Sequence, residues 1–246
     1  MIFDSVDSIR NEFAIRYKMQ QFVTDKTGGK VIEIINANFV ADEPLIFGAV
    51  NQDYVNRELE WYKSMSLNVN DIPGETPAIW KQVADKYGFI NSNYGWCIFS
   101  EENNHQFANV VTELQDRPDS RRAVMIYTRP KMWGDHLKDG RSDFMCTNAV
   151  QYIYREGKID AIVQMRSNDA WAGYRNDYAW QKWVLEELVA TLNKYCNGRQ
   201  HEVGTIYWNV GSLHLYDRQF YLVDHYMQTG NTSITKDEYA RLYDLA

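Results

Sequence analysis

Cys146, in the run DFMCTNAVQ, and Arg166, at the head of RSND, lie on either side of the turn signal Glu156-Gly157-Lys158. Two β-rich runs flank that turn, so a hairpin would set the thiol facing the guanidinium across one strand pair. A thiol becomes a nucleophile when nearby cations or a helix N-terminus lower its pKa, and this placement admits that chemistry. The plainer reading of a lone cysteine in an apolar strand is a small core residue. The cations form a second set. Arg121 and Arg122 follow Pro118-Asp119-Ser120, and Arg166 is followed by Ser167. Planar guanidinium forks with an adjacent hydroxyl suit a phosphate, although solvated surface arginines would look the same. His214 and Tyr216, in GSLHLYDR, stand two apart in a stretch that begins as a strand and would share one face. They could present an imidazole and a phenol to one ligand hydroxyl, or be simply a partly exposed His and a core Tyr. The glycines of DKTGGK lack the spacing of a phosphate-binding P-loop. The other histidines lack ligand spacing, and no metal site is expected.

Those side chains need elements to position them. Three-to-four spacing of apolar residues predicts helices over 6–20, 51–64, 106–116 and 176–196. The last carries Trp180, Trp183, Val184, Leu188, Leu192 and Tyr195 as its buried stripe. In the second, Glu58 falls beside Val55 and Leu59, so a carboxylate borders the core. Alternating, β-branched runs predict strands at 30–40, 123–127 and 204–209, and the hairpin spans 144–164. Two short helices, near 217–228 and 235–244, complete the chain. Helices and strands mix without strict alternation, which favours an α+β fold. No linker or repeat is evident, so 1–246 reads as a single domain.

The whole-chain numbers exclude several classes. The 246 residues carry 26 Lys+Arg against 33 Asp+Glu, a net charge of −7, and 45% are hydrophobic. Disorder is unexpected at that apolar fraction. An acidic total argues against direct nucleic-acid binding, yet leaves room for a free mononucleotide held by a few local cations. Cys97, Cys146 and Cys196 form no CxxC pair, so neither a disulfide framework nor a zinc ribbon is expected, and a reducing cytoplasm is. No apolar stretch is long enough for a membrane span, and MIFDSVDSIRNEF does not read as a signal peptide.

NRELEWY at 56–62, IW at 79–80, NYG at 93–95, DSRR at 119–122, the cysteine at 146, RSND followed by glycine at 173, and HLY at 214–216 together resemble the thymidylate synthases. The likeness holds in order and spacing across nearly the whole chain. FVADEP, DIPGETP, INSNYGW, SDFMCTN and RNDYAWQK look like one branch of that family, the bacteriophage deoxycytidylate hydroxymethylases. The resemblance implies a thymidylate synthase-like α+β domain with a mixed sheet and packed helices, forming a homodimer. It implies hydroxymethyl transfer from 5,10-methylenetetrahydrofolate to carbon 5 of dCMP, with Cys146 as the nucleophile. Tyr94 with its water network would help remove the proton, and Glu58 would organise water and move protons near the base. Arg166 and Ser167 would hold the phosphate with Arg121 and Arg122 from the other subunit, and Lys26 would replace a mobile arginine. His214 and Tyr216 would hold the ribose hydroxyl, and Trp80 and Asp169 would contact folate.

Asp177 stands where uracil-specific members of that family carry asparagine. A carboxylate only accepts, which suits the exocyclic amine and protonated ring nitrogen of cytosine. Against uracil it would leave an unmatched carbonyl, at a cost of roughly 1–3 kcal/mol. Capping of a helix that starts near Tyr178 is the alternative role. Met145, Thr147 and Asn176 depart from the usual synthase residues, as does the tail YARLYDLA. A wetter closure over folate would favour addition of water over reduction. Methylation, action on dUMP, a non-catalytic nucleotide-binding subunit and an unrelated interaction protein are the alternatives.

Overall fold

The computed structural model describes residues 2–25, 28–195 and 200–243. Lys26, Cys196 and the last three residues of the tail therefore lie outside the described residues. In chain order the elements are β1 (Ile2–Phe3), α1 (Val6–Lys18), β2 (Val23–Thr24), β3 (Lys30–Val40), α2 (Gln52–Ser64), α3 (Ala78–Val83), α4 (Tyr94–Phe99) and α5 (Gln106–Asp116). There follow β4 (Val124–Ile126), α6 (Met132–Asp135), β5 (Thr147–Arg155), β6 (Lys158–Asp169), α7 (Ala172–Tyr195), β7 (Glu202–Tyr216), α8 (Phe220–Thr229) and α9 (Lys236–Leu242). The chain divides into two compact units: Met1–Val50 with Arg166–Ala179 and Tyr207–Ala246, and Asn51–Met165 with Trp180–Ile206.

In the first unit β3 pairs parallel with β1 and antiparallel with β2 and β7, which makes a mixed sheet. Its register with β7 runs from Val31 opposite Tyr216 to Val40 opposite Tyr207. Helix α1 starts where the Ser5 hydroxyl accepts the Ser8 amide, and it buries Val6, Ile9 and Phe13. The Arg10 guanidinium, 4% exposed, pairs with Glu43 and donates to the Ile46 carbonyl at 2.8 Å. The same loop holds the start of α7, because the Tyr174 hydroxyl donates to the Glu43 carbonyl at 2.8 Å.

In the second unit β4, β5 and β6 form an antiparallel ladder. Glu156 and Gly157 both take positive φ in the tight turn that joins Arg155 to Lys158. That backbone twist matches the twist of paired strands, and glycine meets it without steric cost. The pairing is regular back to Ala149 opposite Gln164, then shifts by one residue so that Thr147 lies opposite Met165. The core of this unit is aromatic: Tyr62 stacks on Tyr94 at 5.1 Å, with Tyr127 and Trp180 edge-on to them. Burying each such ring contributes about 2 kcal/mol or more.

The structure departs from the sequence reading at several ends. Helix α7 begins at Ala172 rather than at 176, so Asp177 lies in its second turn and is not its cap. Strand β7 continues to Tyr216, well past the expected 209, because its apolar alternation is sustained through Leu213 and Leu215. Trp180, Val184, Leu188 and Leu192 are buried as expected, but Trp183 is half-buried and Tyr195, at the helix end, is exposed. Cys146 sits at a bend just before β5 rather than within a strand.

The crossing of α4 over α2 depends on Gly95. A Cβ there would lie 1.8 Å from the Tyr62 carbonyl oxygen, a backbone atom that cannot swing away. Helix propensity favours alanine over glycine by only about 1 kcal/mol, and the clash outweighs it. Gly95→Ala should therefore lower unfolding free energy by about 3 kcal/mol in urea titration. A neutral or stabilising result would show that α4 shifts freely.

Candidate active site

In the first unit the end of β6, the first turns of α7 and the end of β7 collect seven of the residues singled out above or adjoining them. Gly211 of β7 lets the backbone approach Arg166, whose carbonyl oxygen would stand 2.7 Å from a Cβ at that position. The Ala170 amide donates to the His214 carbonyl at 2.8 Å, which ties the end of RSND to HLY. Arg166 is exposed and Ser167 half-buried. On β7, Leu213 and Leu215 face the core, and His214 and Tyr216 share the opposite face with rings 5.1 Å apart. The shared face expected from their spacing is thus present.

Asp177 is held by a network. Trp208 Nε1 lies 3.2 Å from Asn168 Oδ1, and Asn168 Nδ2 lies 2.7 Å from Asp177 Oδ2. An indole N–H only donates, so the Asn168 oxygen must face Trp208 and its amide N–H must face Asp177. Asp177 is thereby an acceptor. Gly173 leaves space for this contact, since a Cβ there would meet Asn168 Nδ2 at 3.1 Å. Burial raises the Asp169 pKa, offset in part by the Trp171 amide and by His214. Its Oδ1 accepts that amide at 2.8 Å.

In the second unit the Cys146 bend follows a pinned segment. Asp143, 6% exposed, accepts the Asn91 amide at 2.6 Å and the Ser92 hydroxyl at 2.7 Å. Burial raises its pKa, and those donors oppose the rise. Asn93, the next residue of INSNYGW, caps α4 by accepting the Trp96 amide at 2.8 Å. Tyr94 opens that helix, 4% exposed, stacked on Tyr62. Cys146 itself is half-buried between two fully buried neighbours, Met145 and Thr147. Cys97 differs: it is fully buried, and burial pushes its thiol pKa up to about 11 despite Arg129. A thiol so protonated suits a structural role.

Glu58 is 5% exposed on α2, bordering the core as its register implies. Its Oε1 accepts the Tyr54 hydroxyl at 2.5 Å and Trp80 Nε1 at 3.0 Å. Trp80 Nε1 also lies 3.0 Å from the Tyr54 oxygen. The structure thus joins Trp80 and Glu58, which the sequence reading had kept in separate roles. Arg121 and Arg122 are exposed on the loop between α5 and β4, where Arg122 pairs with Glu113 at 2.9 Å. Among the described residues no cluster of His, Cys, Asp and Glu is arranged to hold a metal, and no helix is long and apolar enough to cross a membrane.

Sequence reasoning missed Tyr54, Asn168 and Trp208. Tyr54 stands four residues before Glu58 on one helix, a spacing that places side chains together. Asn168 lies inside the motif RSND, but Trp208 comes from a distant strand and carried no local signal.

The sequence profile of the family described as thymidylate synthase matches residues 24–239. The chain is 60% identical over 245 residues to the deoxycytidylate 5-hydroxymethyltransferase of Enterobacteria phage T4, covering 99% of this chain and 100% of that one. It is 61% identical over 241 residues to the enzyme of the same name from Enterobacteria phage T2, covering 97% and 98%. The fold superposes on thermostable thymidylate synthase A from Bacillus subtilis with a TM-score of 0.68, at 21% identity, covering 91% of this chain and 84% of that one. With a profile match over most of its length and relatives of this identity along all of it, the chain belongs to the thymidylate synthase family.

Proposed function

We propose that this protein is a deoxycytidylate 5-hydroxymethyltransferase, converting dCMP, 5,10-methylenetetrahydrofolate and water to 5-hydroxymethyl-dCMP and tetrahydrofolate. The observation that carries the reading is Asp177, held as an acceptor by the Asn168 amide. Cytosine as an enzyme-bound base offers two donors on that edge, the exocyclic amine and a protonated ring nitrogen, and a carboxylate accepts both. The relatives that share 60% or more of the sequence along nearly their whole length bear the same activity in their names.

The Cys146 thiolate adds to carbon 6 of the base, which makes carbon 5 nucleophilic toward the one-carbon unit. Folate supplies that unit at the oxidation level of formaldehyde. Trp80 and Asp169 are the residues that the resemblance matches to folate contacts, an indole suited to a flat heterocycle and a carboxyl to its donors. Carbon 5 bonds to that unit. Tyr94 and water then assist removal of the carbon 5 proton, and tetrahydrofolate leaves with the electrons of its carbon–nitrogen bond as an exocyclic methylene forms on the base. Glu58 orients the water that adds to this methylene, and Cys146 then departs to restore the ring. Arg166 and Ser167 grip the phosphate, together with Arg121 and Arg122 of a second subunit in a homodimer and with Lys26. His214 and Tyr216 bind the ribose 3′-hydroxyl. In this reading residues 1–246 act as one catalytic domain in the cytoplasm of the host cell.

Incubation with dCMP and methylenetetrahydrofolate, followed by mass analysis, should yield 5-hydroxymethyl-dCMP and tetrahydrofolate. A methylated product with dihydrofolate would overturn the reading in favour of a methylase. Cys146→Ser should abolish product and leave binding of dCMP within a few-fold of the parent. Asp177→Asn should lower the preference for dCMP over dUMP by roughly 10- to 100-fold, the worth of one mismatched buried hydrogen bond. An unchanged preference would remove Asp177 from base selection.

A further inference from the structure

Among the residues packed around Glu58, Tyr54 is the one that neither motif matching nor core packing accounts for. Its ring is half-buried on α2, and its hydroxyl donates to Glu58 Oε1 at 2.5 Å. Trp80 Nε1 closes a triangle, 3.0 Å from the phenol oxygen and 3.0 Å from the same carboxylate oxygen. Two donors therefore converge on Oε1. The phenol and the indole approach from one side of that oxygen and hold the carboxylate in one orientation. The phenol itself stays protonated, because burial and the neighbouring Glu58 charge push its pKa well above the ordinary tyrosine value.

The cation beside the Tyr54 ring is otherwise engaged. The Arg57 guanidinium lies 5.7 Å from the Tyr54 ring centroid, pairs with Asp53 at 3.1 Å, and donates to the Pro73 and Glu75 carbonyls at 3.0 Å. Both donors on Glu58 Oε1 are thus neutral groups. Neutral donors hold a carboxylate in place and favour its ionised form while leaving it able to take up and return a proton.

We propose that Tyr54 is a positioning residue for the reaction, which orients the Glu58 carboxylate and weakens its hold on a proton by donating to Oε1. The inference rests on the hydroxymethyltransferase reading for its kinetic consequence, and on the geometry alone for its effect on the carboxyl. The phenol keeps its proton throughout. It is neither acid nor base, and the proton is handled by Glu58 alone.

The test uses the full chain with Tyr54→Phe, Glu58→Gln and the double variant. Tyr54→Phe should lower kcat by roughly 10- to 100-fold, the worth of one charge-assisted hydrogen bond, with the KM for dCMP within about twofold. The acid limb of the kcat profile should move up by about one pH unit, because a carboxylate that loses a donor holds its proton more tightly. In the Glu58→Gln background the same change should cost little more, since both act through one group. Losses that simply add, with an unmoved acid limb, would make Tyr54 merely structural and overturn the proposal. The carboxyl can also be titrated directly by 13C NMR without substrate, with Glu58→Gln assigning the resonance. An upward shift of the Glu58 titration in Tyr54→Phe supports the proposal even if the parent enzyme fails to convert dCMP, a failure that would instead sink the functional reading. An unchanged titration overturns the proposal whatever the turnover.

Discussion

The second unit is organised by a carboxylate taken out of water at Asp143. Removing an ionised carboxyl from solvent costs several kcal/mol unless donors meet it, and the Asn91 amide and Ser92 hydroxyl do so. Those donors belong to INSNYGW, and Asp143 itself belongs to SDFMCTN, so one buried group ties the segment before Cys146 to the start of α4. The consequence reaches Tyr94. Its helix is capped by Asn93 immediately after the two donors, and Gly95 lets it lie against the Tyr62 carbonyl. Loss of the Asp143 contacts would free both segments together.

The same rule shapes Glu58 and Asp177, with a different choice of partner. Each accepts from a neutral donor carried on a rigid element: phenol and indole for Glu58, a side-chain amide for Asp177. Arginines make ion pairs that fasten loops, at Arg10 with Glu43 and at Arg141 with Asp85. An arginine partner strongly favours the charged carboxyl and resists proton uptake. Neutral donors suit the roles proposed for these two carboxylates, recognition of a base and handling of a proton, and they also orient them.

Much of this was legible in the chain before any coordinates. Strand Lys30–Val40 and helix Gln106–Asp116 agree with their hydrophobic periods, and the hairpin turn at Glu156-Gly157 was announced by its residue types. Glu58 at the core border followed from its register beside Val55. The failures have physical causes. Helix α7 starts early because Ala172 and Gly173 are small residues packed over the end of β6, a tertiary contact that no local period announces. The short helices α3, α4 and α6 are under two turns long, too brief for a helical period to emerge from the sequence. Lys26 and the chain end lie outside the described residues, so their expected roles stay with the resemblance that suggested them.

The early start of α7 alters the meaning of Asp177. As a helix cap its carboxyl would bond backbone amides of its own helix, and its identity would report only on helix stability. In the second turn it stands past the cap, and it accepts from the side chain of Asn168, itself oriented by Trp208 from β7. A donor-only indole fixes the amide, and the amide fixes the carboxylate as acceptor, so the preference of this position is written by three residues from three elements. Replacing Asp177 with asparagine would change more than the contact with a base proposed for it. The new amide could turn its oxygen toward Asn168 Nδ2, which would leave its own N–H₂ to face the ligand, where an acceptor such as a uracil carbonyl is the better match.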